Sequence, residues 1–118
     1  EVNLMMLFFP QKATLYRKIP DPNNPGRYLK DDYGNFQLQP IEVNVAIDLR
    51  QNVVRDADGA EVSTFMEVDF PPDVEYDYGD ELEYKDPFNR VYRGKIITIE
   101  ENTDPLGKRV LSRFSTIG

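Results

Sequence analysis

No stretch of this chain constrains its fold as tightly as residues 79–117, GDELEYKDPFNRVYRGKIITIEENTDPLGKRVLSRFSTI. Three short runs lie here, at 81–85, 91–100 and 108–117. Between them fall Asp86-Pro87-Phe88-Asn89 and Asn102-Thr103-Asp104-Pro105-Leu106-Gly107. Proline presets φ early in a turn, and Gly and Asn tolerate positive φ, so both joints favour chain reversal. Three runs joined by short reversals predict an antiparallel meander. Strict alternation across 91–100 places Val91, Ile97 and Ile99 on one face and Tyr92, Ile96 and Thr98 on the other. Apolar residues on both faces predict a strand covered on two sides, as in a sandwich or a closed barrel.

The preceding chain carries the same period. Over 12–19, Leu15, Arg17 and Ile19 alternate with Thr14, Tyr16 and Lys18. Over 41–50, Ile41, Val43, Val45, Ile47 and Leu49 alternate with polar residues and Ala46. Asp58-Gly59 marks a hairpin reversal. After it, residues 61–70 run back with Val62, Thr64, Met66, Val68 and Phe70 on one face. Phe65 interrupts the opposite, polar face and is a candidate interface anchor. The expected fold is all-β: a small antiparallel barrel or sandwich of about six strands, with no helix longer than two turns. At 118 residues, one domain over 12–118 buries roughly two-thirds of its unfolded surface.

Two segments fall outside that pattern. Residues 20–40, PDPNNPGRYLKDDYGNFQLQP, hold four prolines and two glycines and read as one long loop, mobile when free. Tyr28, Leu29, Tyr33 and Phe36 give that loop apolar material for docking. Residues 1–11 form an apolar arm whose run LMMLFF, at 4–9, stops at Pro10. This run is either an edge strand or an arm that needs a partner, and Leu4, Phe8 and Phe9 are its candidate contacts. It is too short for a transmembrane helix, which needs about 20 apolar residues.

The missing residue types exclude whole mechanisms. There is no Cys, His or Trp, so disulfides, thiolate or imidazole metal sites and His-based nucleophilic triads are all unavailable. No phosphate loop or GxSxG elbow occurs. Asp56, Asp58 and Glu61 around Gly59 supply only a fragment of a calcium loop, and read as a turn. No cofactor and no enzymatic activity are expected.

The net charge of −7 is unevenly placed: nine acids oppose Lys85 alone between positions 67 and 86, while six bases oppose three acids from 87 onward. An acidic chain is a poor phosphate binder. Asp73, Glu75, Asp77, Asp80, Glu81 and Glu83 are therefore candidates for a repulsive surface, for a polar contact with a basic one, or for a solvated loop.

Four stretches taken together resemble the small β-barrel head-closure, or head–tail joining, proteins of long-tailed bacteriophages. Lys12-Ala13-Thr14-Leu15-Tyr16-Arg17 is similar to that family's opening strand, and Asp31-Asp32-Tyr33-Gly34-Asn35 to its D-x-Y-G-type turn. Asn44-Val45-Ala46-Ile47 resembles the next strand, with Val45 where an aromatic is common. Val91-Tyr92-Arg93-Gly94-Lys95-Ile96 with Val110-Leu111-Ser112 resembles the closing pair. The acidic segment at 73–83 and the apolar start depart from the family pattern.

The resemblance implies a structural virion protein made in the host cytoplasm and seated in the neck. Its copies would form a ring around the DNA channel, between the portal–adaptor complex and a tail terminator or tail-tube protein. It implies no membrane contact and no sequence-specific DNA binding. Two other classes remain open: a carbohydrate-type β-sandwich module presenting Tyr76, Tyr78 and Tyr84, and a metal-assisted hydrolase built on the acidic segment.

Overall fold

The alternating runs become strands, and the punctuation between them becomes turns. The computed structural model describes residues 8–118; the arm residue Leu4 lies outside this range. Six strands follow in chain order: β1 (Gln11–Lys18), β2 (Leu38–Arg55), β3 (Glu61–Phe70), β4 (Glu81–Lys85), β5 (Val91–Thr103) and β6 (Val110–Ile117). All neighbours pair antiparallel, and they close into a barrel in the order β1-β2-β3-β6-β5-β4. The all-β barrel and the β4-β5-β6 meander are as the alternation predicts. No helix among the described residues is long and apolar enough to cross a membrane.

One device makes most of the turns. At Asp31, Asp56 and Asp86 the carbonyl accepts the N–H of residue i+3, and the carboxylate Oδ1 accepts the N–H groups of i+2 and i+4 at 2.9 Å. Asp104 repeats the pattern at 2.9–3.1 Å. The residue at i+3 takes positive φ: Gly34 (82°), Gly59 (82°), Asn89 (65°) and Gly107 (68°). Gly and Asn meet that demand with little strain. The Asp56 carboxylate is thus spent on its own turn, in line with the turn reading of that acidic fragment.

β2 and β5 are the long strands, and each pairs on both sides of the barrel. Residues 38–45 of β2 pair with β1, whereas its later residues, from Ala46, pair with β3. Residues 91–95 of β5 pair with β4, and its later part pairs with β6. The changeover in β5 carries a one-residue register shift between Ile96 and Thr98. An extra residue turns every following side chain to the other face. This corrects the strict alternation read from sequence: Ile96 is buried and Ile99 packs on the same core, while Val91 is exposed. The apolar residues on both faces therefore belong to a strand that bulges. β2 has a similar shift between Leu49 and Asn52, beyond which its hairpin with β3 continues out to the Asp56 turn.

The core comprises Ala13, Leu15, Val43, Val45, Met66, Val68, Phe70, Leu82, Ile96 and Ile117. Burying each of the larger aliphatic side chains contributes roughly 1.5–3 kcal/mol. Gly94 is required by close approach. A Cβ there would stand 2.8 Å from the Gly118 carbonyl oxygen and 2.9 Å from Phe65 Cζ. Phe65 thus lies across Gly94 and packs against the core. It is partly exposed.

The 20–40 segment also differs from expectation. Leu38, Gln39 and Pro40 begin β2. The remainder is a tied double turn, with bridges Pro20↔Tyr28 and Lys30↔Phe36 and the bonds Leu29 N–H to Ile19 O (2.8 Å) and Gln37 N–H to Leu29 O (3.0 Å). Backbone bonds thus give the segment a defined path.

Candidate interaction surfaces

Register fixes which features share an end of the barrel. The turns at Asp56 and Asp86 lie at the end where β1 begins. The 19–37 segment, the 71–80 segment and the Asp104 turn lie at the other end.

Residues 71–80 form a strap across that second end. Val74 and Tyr76 pack on the core, the Tyr76 ring lies 4.1 Å from that of Phe70, and its hydroxyl pairs with Ser115 Oγ at 2.8 Å. Burial pushes the Tyr76 phenol above its ordinary pKa. Arg113 Nη1 donates to the Val74 carbonyl at 2.9 Å, and Arg17 lies 3.9 Å from Glu75.

The six acidic candidates therefore occupy three different environments. Asp73, Glu75 and Asp77 are exposed on the strap. Glu81 and Glu83 stand on the outer wall of β4, where Arg93 Nε donates to Glu81 at 3.0 Å and the Tyr16 hydroxyl donates to Glu83 at 3.1 Å. That bond to Glu83 is the main reason the Tyr16 phenol sits above its ordinary pKa. Asp80 is 2% exposed. Its carboxylate accepts the Lys18 N–H at 3.2 Å and the Asp77 N–H at 2.9 Å. This corrects its place in a channel-facing set: Asp80 ties the strap to β1.

Of the loop candidates, Tyr28 and Leu29 are half-buried. The Tyr28 and Phe36 rings meet edge-on at 6.1 Å, with Lys18 Nζ 4.7 Å from the Tyr28 centroid. Tyr33 is 91% exposed. Phe8 is exposed and Phe9 half-buried; both lie over the outer face of β3 and β6, beside Asp69. Tyr76, Tyr78 and Tyr84 do not form a common platform, because Tyr76 is turned in on Phe70 while Tyr84 pairs across the strands with Tyr92. Among the described residues, no group of three or more acidic side chains is placed to hold a metal ion.

Two large apolar side chains escaped the sequence reading as contact candidates. Phe88 is 80% exposed and Leu106 is 76% exposed. They stand at i+2 of the Asp86 and Asp104 turns, the position that Tyr33 holds in the Asp31 turn. The signal was available as an Asp followed two residues later by a large apolar residue and then by Gly or Asn. A turn that bonds its own backbone so fully leaves the i+2 side chain pointing at solvent. Tyr33 and Leu106 project at one end of the barrel, Phe88 at the other.

Comparison with protein-family models, curated proteins and solved structures finds no match for this chain.

Proposed function

We propose that this chain is a structural, non-enzymatic ring subunit of the neck of a long-tailed bacteriophage, joining the portal–adaptor complex to the tail around the DNA channel. One observation carries this reading: rigid turns display large apolar residues at both ends of a closed barrel. A connector must hold one partner above and another below, and it needs an anchor at each end. Exposed aromatic and aliphatic residues on preordered turns suit that task, since little entropy is lost when they are buried. The strap supports the same reading, because Asp73, Glu75 and Asp77 repel phosphate from that end and let DNA pass without adhering.

The test is reconstitution. The purified chain, alone and with portal–adaptor and tail-tube proteins, is followed by light scattering and electron microscopy. Rings with a central opening that bridge both partners are expected. Tyr33→Ser with Leu106→Ser should release one partner, and Phe88→Ser the other. Asp73→Asn, Glu75→Gln and Asp77→Asn together should give assembled rings that retain DNA at low salt. A chain that stays monomeric and binds neither partner overturns the proposal.

A further inference from the structure

Two outer faces on different walls of the barrel carry complementary surfaces. In the closed order β1-β2-β3-β6-β5-β4, β4 stands opposite β3, and β5 joins β4 to β6. The register puts Ala46, Asp48, Glu67, Asp69, Phe114 and Glu100 together on the first wall. Glu67, Asp69 and Glu100 take part in no ion pair among the described residues, and Asp48 pairs only with its neighbour Arg50 at 3.3 Å. Phe8, 66% exposed, lies over this wall and lines one cleft with Phe114. The result is an apolar centre with acidic surroundings. Burial raises the Asp69 pKa, with repulsion from Glu67 second.

The second face, built on β4 with its neighbours β1 and the start of β5, is basic. There the register groups Lys12, Lys85, Arg93 and Lys95 with Glu42, Glu81 and Glu83. Each acid is already engaged: Glu42 with Lys12 at 3.6 Å, Glu81 with Arg93 at 3.0 Å, and Glu83 with the Tyr16 hydroxyl. Lys85 and Lys95 are left exposed and without an ion pair among the described residues, and Val91, 56% exposed, lies across from Lys85.

We infer that the β3/β6 wall of one copy receives the β4/β5 wall of the next, with Phe8 and Phe114 against Val91 and with Glu67, Asp69 and Glu100 facing Lys85 and Lys95. Unlike patches on different walls make a head-to-tail contact, and such contacts close into rings when the rotation between copies allows. The inference deepens the proposed ring by naming its lateral contact. Complementary charge at this contact sets register and excludes wrong pairings.

The experiment uses two charge-reversed chains, Glu67→Lys with Glu100→Lys, and Lys85→Glu with Lys95→Glu. Light scattering gives the mass of each and of their mixture, and circular dichroism with thermal melting checks that each is folded. All four positions are on the outer wall, so both chains should melt as the parent does. Each alone should self-associate at least about tenfold more weakly than the parent, because one now meets base with base and the other acid with acid. Their equimolar mixture should recover alternating, even-numbered assemblies, since each contact again joins acid to base. Added salt should weaken the parent assembly. If the parent associates and both variants associate equally well, these walls are not the contact, and the ring reading stands without them. If both variants weaken and the mixture does not recover, the pairing of the two walls is wrong. A parent chain that remains monomeric overturns both this contact and the ring.

Discussion

Replacing Asp80 tests the difference between a charge that acts outward and one that holds the chain together. Its carboxylate is 2% exposed and accepts two backbone donors, Lys18 N–H at 3.2 Å and Asp77 N–H at 2.9 Å. Those donors belong to β1 and to the strap, and the bond to Lys18 spans 62 residues of sequence. Asp80→Ala strands both N–H groups. Each loses about 1–3 kcal/mol when left without a partner, and both are only part-buried, so the total is about 2–4 kcal/mol. For a domain of this size that lowers Tm by about 8–15 °C. Asp80→Asn keeps one oxygen for one donor and should lose about half as much. Asp73→Asn and Asp77→Asn, at exposed positions, should shift Tm by less than about 2 °C. The assay is scanning calorimetry or thermal circular dichroism on the four variants at one pH. An Asp80→Ala chain that melts within about 2 °C of the parent refutes the tie.

Three further outcomes follow from single contacts. Gly94→Ala should destabilise by about 1–3 kcal/mol in urea titration, because the new methyl would stand 2.8 Å from the Gly118 carbonyl oxygen, a backbone atom that cannot yield as a flexible side chain would. Tyr76→Phe leaves the buried Ser115 hydroxyl without its 2.8 Å partner and should lower stability by about 1 kcal/mol by the same measurement. Asp69 has a raised pKa in the folded chain, so the native state binds its proton more tightly than the unfolded one. Its favourable contribution is complete below the unfolded value of 3.8 and is lost as pH rises through the higher folded value. Asp69→Asn should therefore be more stable than the parent at pH 7, and denaturant midpoints at pH 4 and pH 7 should show the gap growing with pH.

Much of the fold was legible because period-two alternation and turn chemistry are local. β3 and β4 begin and end where the residue pattern says, and the others differ by a few residues at their ends. The misassigned faces of β5 have one physical cause. Alternation assigns faces correctly only until a strand gains a residue, and Ile96, Ile97 and Thr98 show how little warning the sequence gives of that. Nothing local marks the bulge; it arises because β5 must leave β4 and join β6 as the barrel closes. The 20–40 segment differs in another way. Its prolines and glycines suggest one long loop, whereas Asp21 and Asp31 turn the chain back on itself so that Ile19, Leu29 and Gln37 bond one another.

The acidic run shows why adjacency in sequence is a poor guide to a shared surface. Asp77 and Asp80 are three residues apart, yet one faces water while the other lies under the strap and accepts the first one's N–H. Glu81 and Glu83 continue the run by composition. In space they belong to the barrel wall, because β4 starts at Glu81 and its odd-numbered positions from 81 to 85 point outward beside Arg93 and Tyr16. A net charge summed along the run would assign all of them one field. In the folded chain Asp73, Glu75 and Asp77 are the members of the run exposed on the strap, Glu75 with Arg17 3.9 Å away, while β4 holds carboxylates bonded to a guanidinium and a phenol. The acids proposed to face a neighbouring copy, Glu67, Asp69 and Glu100, have no ion pair among the described residues; they come from β3 and β5 and are assembled only by strand register. Charge along a β chain acquires a direction from pairing: a surface argument must follow the ladder across strands, since successive residues along any one strand face opposite sides.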